Sequence, residues 1–99
     1  RAVAGLSATL EAINEGRVWK LVYLQGLKVD GGVCNTCNML FDPAEDRCPV
    51  CGKKVEREPH MVDRMARAVL ERGGHVEIVD GPAAEALRAV AEVAALMHT

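Results

Sequence analysis

The chain has 99 residues, 12 basic against 14 acidic, and a formal net charge of −2. That length suits one domain with a modest core. The charge balance excludes nucleic-acid binding through a broad positive field, leaving room only for a local patch. Apolar residues make up 49% of the chain and aromatics only 3%, so the core must be built from Val, Leu, Ala, Ile and Met. No run is long enough to span a bilayer and no signal peptide is visible, so the expected compartment is the reducing cytoplasm. The chain opens on Arg1 rather than an initiator methionine, as a fragment of something longer would.

Taken in order, residues 1 to about 16 read as a helix. Val3, Leu6, Leu10 and Ile13 form one apolar stripe, Ser7 is placed to cap a shorter version from Ala8, and Gly16 ends it. Val18 to Leu24 reads as an interior strand, apolar on both faces apart from Lys20. Trp19, Leu21 and Tyr23 share one face of it and read as core. Residues 25–33, with Gly26, Gly31 and Gly32, form a hairpin-like approach to the cysteine-rich segment.

That segment holds two Cys-x-x-Cys pairs, Cys34-Asn35-Thr36-Cys37 and Cys48-Pro49-Val50-Cys51, separated by the ten residues Asn38 to Arg47. A Cys-x-x-Cys turn aims both sulfurs at one point, and two such turns supply the four soft ligands of a tetrahedral zinc site. Paired disulfides would need an oxidising compartment. Redox catalysis would need a low-pKa, exposed cysteine beside a βαβ unit, and the first pair has no nearby positive partner. A catalytic zinc needs an open coordination position, which four thiolates close. The stretch therefore reads as a structural zinc ribbon whose ligands are Cys34, Cys37, Cys48 and Cys51. Phe41 is its small apolar lid, joined by Met39 or Leu40.

Past the ribbon, Pro59 or His60 opens a second helix. Val62, Met65, Ala66, Val69 and Leu70 make its inner face, and Gly73-Gly74 ends it. His75 to Val79 is a short strand with Val76 and Ile78 inward. Asp80-Gly81-Pro82 starts a third helix from Ala83 to about Val90, with Leu87 and Val90 on the core. Val93 to Met97 is the last strand. Strands alternating with helices imply a small three-layer α/β/α sandwich with a mainly parallel sheet. The expected core is residues 1–25 and 59–99, with the ribbon inserted at 26–58. A sheet this small leaves apolar surface to be covered by a missing piece or a partner chain, a second copy of this one included.

The order of these pieces resembles the C-terminal domain (domain 3) of the eukaryotic and archaeal type of peptide chain release factor. The residues that carry it are Glu15-Gly16-Arg17-Val18 before a Lys20-Leu21-Val22-Tyr23 strand, the Cys34/Cys37 and Cys48-Pro49-Val50-Cys51-Gly52 knuckles, Asp63 to Leu70, and Gly73-Gly74-His75-Val76-Glu77-Ile78-Val79. The family's usual Gly-Gly-Ile-Gly-Ala-like ending is replaced by Ala91-Glu92-Val93-Ala94-Ala95-Leu96-Met97-His98-Thr99. The resemblance implies a fold shared with certain ribosomal and kink-turn RNA-binding proteins. It also implies a domain that contacts a translational GTPase or a ribosome-associated factor rather than doing chemistry. Release chemistry in that family belongs to a different domain with a Gly-Gly-Gln tripeptide. Here the glycine pairs read Gly31-Gly32-Val33 and Gly73-Gly74-His75.

Three readings compete. The first is a protein-docking domain in translation termination or ribosome rescue, with Asp42 and Glu45 at the ribbon tip and Val93 and Leu96 in the last strand as partner-binding residues. The second is an RNA-binding module of the same fold, using Arg64, Arg67 and Arg72 with Lys53 and Lys54, or a stand-alone zinc-ribbon adaptor. The third is an enzyme, which His60, His75 and His98 do not support, since no nucleophile adjoins them in the sequence.

Overall fold

The computed structural model describes residues 1–98. Along the chain come β1 (Ala2–Ala4), α1 (Leu6–Asn14), β2 (Val18–Leu24), β3 (Gly31–Cys34), β4 (Met39–Phe41), β5 (Glu56–Glu58), α2 (Met61–Glu71), β6 (His75–Val79), α3 (Gly81–Arg88) and β7 (Val93–Met97). The strands form a four-stranded sheet in the order β1-β7-β2-β6 and a three-stranded sheet in the order β4-β3-β5.

The apolar run Val18–Leu24 becomes an inner strand, as a segment with two apolar faces must. On one face Leu21, Val93, Ala95 and Met97 pack against Leu10 and Ile13 of α1 and Met65 and Val69 of α2. On the other, Leu24 and Val79 lie under Ala84 and Leu87 of α3. Three layers result, but the short α3 shields only the end of its face, and Lys20, Ala94 and Leu96 remain half-buried.

The sheet is not mainly parallel. Only β2 and β6 run in parallel; β7 is antiparallel to both of its neighbours, and the smaller sheet is antiparallel throughout. The cause lies in the return after α3. The Gln25 N–H reaches the Val79 carbonyl at 2.9 Å and the Leu24 N–H reaches the Glu92 carbonyl at 3.2 Å. Thus β6 leaves the sheet and β7 re-enters it at the same end of β2. A parallel crossover would have to carry the chain back to the opposite end.

Several expectations fail for local reasons. The stretch 1–16 is not one helix, because Gly5 at φ 93° interrupts it and Ala2–Ala4 pairs with β7 as an edge strand. Ser7 makes no cap; its hydroxyl donates to Asp42 Oδ2 at 2.9 Å. A bulge at Trp19 in the pairing of β2 with β7 turns both Val18 and Leu21 inward, leaving Trp19 39% exposed rather than in the core. Leu70 projects from the flank of α2, Ile78 stands on an edge strand, and Val90 falls in the turn after α3, so all three are exposed. Val79 takes the buried position instead.

The smaller sheet is bolted to the larger one at its base. Val33, Leu40 and Met61 belong to the main hydrophobic cluster, although Val33 and Leu40 lie within the stretch 26–58. Gly31 is buried, and a Cβ there would run into the Met61 side chain, so glycine is what lets β3 sit close to α2. Asn14, the last residue of α1, donates from Nδ2 to the Leu40 carbonyl at 2.7 Å and accepts the Leu40 N–H on Oδ1 at 2.9 Å. Its carboxamide meets the free edge of β4 as a neighbouring strand would, satisfying backbone groups that an edge otherwise leaves unpaired.

Candidate metal centre

Each cysteine pair sits in a turn whose shape the sequence sets. In the first, Cys34 ends β3, Cys37 lies in the turn to β4, and Asn38 comes next at φ 55°. In the second, an Arg47–Lys54 bridge leads into Cys48, and Gly52 succeeds Cys51 at φ 76°. A left-handed residue directly after each second cysteine turns the chain back, a role suited to Gly and Asn. The second turn is closed by Gly52 N–H to Cys48 O at 2.8 Å and Cys48 N–H to Lys53 O at 2.9 Å.

The two turns bring Cys34, Cys37, Cys48 and Cys51 together, with all four sulfurs within 4.8 Å of one another. Cys34 Sγ and Cys51 Sγ are 3.5 Å apart, far beyond the roughly 2.05 Å of a disulfide, and all four thiols are free. Four thiolates bonded at about 2.3 Å to a tetrahedral ion would stand about 3.8 Å apart, so the cluster has the size such an ion requires. Cys34 and Cys48 are each 2% exposed and pack with Val55 and the flanking Phe41, while Cys51 faces solvent. Phe41 is thus the expected lid; Leu40 faces the main core instead.

The thiols differ electrostatically. The Cys37 N–H donates to Cys34 Sγ at 3.4 Å and, together with the neighbouring thiols, brings the Cys34 pKa down to about 7 against the opposing effect of burial. Contact with Cys51, then burial, pushes Cys37 up to about 12. Four sulfurs converge on one point with no cationic side chain hydrogen-bonded to any of them among the described residues. A divalent cation at their centre would supply the missing positive charge, as soft thiolate ligation demands.

The expected partner-binding residues fall in unlike places. Asp42 is spent inside the loop. Its Oδ1 accepts the Ala44 N–H at 2.8 Å and its Oδ2 the Ser7 hydroxyl, and these hold its carboxyl below the ordinary aspartate range. Glu45 is exposed beside it. Val93 is 4% exposed and lies in the core, so it presents no surface, whereas Leu96 stands on the sheet face that α3 leaves open. Arg64, Arg67 and Arg72 gather around one cavity between α1, α2 and the base of the ribbon. Lys53 and Lys54 sit at the second knuckle, outside that lining. His60 precedes α2, His75 begins β6, and His98 comes after β7, all exposed.

Sequence reasoning missed Asn14 and Asn38. An asparagine at a helix end and another after a Cys-x-x-Cys were the available signals.

No family model matches the sequence, and no curated protein matches it. Among solved structures, the chain is similar to the C-terminal domain of Peptide Chain Release Factor from Methanosarcina mazei, with a TM-score of 0.63 at 19% identity. The match covers 99% of this chain and 69% of that one. At this identity the likeness establishes the fold, a small α/β domain of the release-factor C-terminal kind. No helix among the described residues is long and apolar enough to cross a membrane.

Proposed function

We propose that this chain is a non-catalytic protein-docking domain of a release-factor-like protein, acting in translation termination or ribosome rescue in the cytoplasm. The observation that carries the reading is the fold match along almost the whole chain. Cys34, Cys37, Cys48 and Cys51 would hold one structural zinc ion, which ties the two turns together and, with four thiolates, leaves no position for a reacting water. We read 1–25 and 59–99 as the core stretches and 26–58 as the inserted ribbon, a division that Val33 and Leu40 cross by packing into the main hydrophobic cluster.

The chain's own residues make the ribbon a rigid display. Asn14 and Ser7 fix β4 and the Asp42 loop against α1, so Glu45 is held at a set position relative to the sheet. Glu45 and Leu96 are the docking residues favoured for a translational GTPase or ribosome-associated partner; Asp42 serves the loop. In co-sedimentation with ribosomes, and in capture of a purified translational GTPase from the same cells, Glu45→Lys or Leu96→Lys should weaken recovery while the fold is kept. Peptidyl-tRNA hydrolysis by the isolated chain would overturn the reading.

A further inference from the structure

We propose that the cavity between α1, the base of the ribbon and α2 is a docking groove for an acidic, extended peptide segment of a partner protein, gripped by Arg67 and Arg72. The proposal deepens the docking reading above and rests on it. The cavity measures about 420 Å³, and Ile13, Leu40, Asn14, Asn38, Arg67 and Arg72 are among its lining residues. Arg64 also lines it, but its guanidinium is engaged by Glu58 at 3.4 Å. Among the described residues, Arg67 and Arg72 have no acidic partner within ion-pair distance. Glu71 is the acid on the wall, so the two unengaged arginines outnumber it two to one.

The groove is shaped as well as charged. Arg72 lies directly over Gly16, where a Cβ would collide with its guanidinium, so the absent side chain makes the seat for the arginine. Asn14 is fixed by its two bonds to Leu40, which makes that wall rigid. Arg67 lies within α2 and Arg72 is the residue that caps its C-terminus, and both line the cavity. An extended peptide carrying several carboxylates exposes them along its length and can offer one to each planar guanidinium fork.

The same arginines are a poor RNA site. The chain carries a net charge of −2 and a pI near 5.9, whereas RNA readers concentrate positive charge. The cavity lining has no aromatic ring on which a base could stack, and Lys53 and Lys54 are not part of it.

The test uses the chain as purified, fluorescein-labelled hexaglutamate, and a labelled RNA hairpin of equal charge, read by fluorescence anisotropy. Hexaglutamate should saturate the protein, weaken as salt rises, and bind about tenfold more weakly to the Arg67→Gln/Arg72→Gln variant. Arg67→Lys/Arg72→Lys should lose less, and Lys53→Gln/Lys54→Gln nothing. Failure to saturate, an unchanged Arg67→Gln/Arg72→Gln variant with native circular dichroism, or tighter hairpin binding through the same arginines would each overturn the proposal. Because the probe is a peptide alone, its failure removes the groove and leaves the docking reading standing. Failure to capture ribosomes or a GTPase does the reverse.

Discussion

Asn14→Ala removes the carboxamide that closes the edge of β4, and the structure sets the size of the effect. Two neutral hydrogen bonds, at 2.7 and 2.9 Å, are lost from the backbone of Leu40, a residue only 4% exposed. At roughly 1 kcal/mol net for each, the variant should lose about 2 kcal/mol. For a domain of this size each kcal/mol moves the melting temperature by about 4–8 °C, so a fall of about 8–16 °C is expected. Thermal unfolding followed by circular dichroism gives the global value, and amide hydrogen exchange at Leu40 locates it. Asn14→Asp, which keeps the acceptor for the Leu40 N–H and loses the donor to its carbonyl, should also destabilise. A melting temperature within about 2 °C of the parent, with the Leu40 amide still protected, would refute the claim that Asn14 fastens the ribbon to α1.

Two further outcomes are expected. Cys48→Ser/Cys51→Ser should abolish metal binding and speed amide exchange around Cys34, Cys48 and Val55, while most helical circular dichroism survives, because that cluster is separate from the main one; complete unfolding at room temperature would show that the knuckles hold the core. The Asp42 carboxyl, stabilised when ionised by the Ala44 N–H and the Ser7 hydroxyl, should titrate by NMR below the ordinary value of about 3.9. Its folded-state pKa is depressed, so its contribution to stability is present above that ordinary value and is lost as pH falls through the folded pKa. Ser7→Ala should move the titration part of the way back.

The clustering of Cys34, Cys37, Cys48 and Cys51 was the most legible feature of the sequence, because Cys-x-x-Cys pairs carry their geometry in their spacing. The inner strand Val18–Leu24 was legible for a similar reason, since only an inner strand tolerates apolar residues on both faces. What hid the rest was long-range. Val3, Leu6, Leu10 and Ile13 keep a helical period across Gly5, yet Ala2–Ala4 has β7 to pair with, and that partner lies far along the chain at Ala94–Leu96. The direction of β7 depends on which end of β2 the chain reaches after α3, something no local pattern encodes. The bulge at Trp19 shifts the inward face by one residue, so strict alternation misplaces that ring. Asn14 reads as an ordinary helix end until Leu40 is found beside it. Val93 and Leu96 look alike in the last strand, but Val93 faces the helices α1 and α2 and Leu96 the opposite side, a distinction set by which face those helices cover.

Zinc K-edge X-ray absorption on the purified chain is the most direct test of the central claim, a closed structural ion in a non-catalytic docking domain. The account predicts one zinc per chain with four sulfur neighbours at about 2.3 Å and no oxygen or nitrogen in the first shell. Three sulfurs with a bound water, or a folded chain that holds no zinc with its four thiols intact, would contradict it.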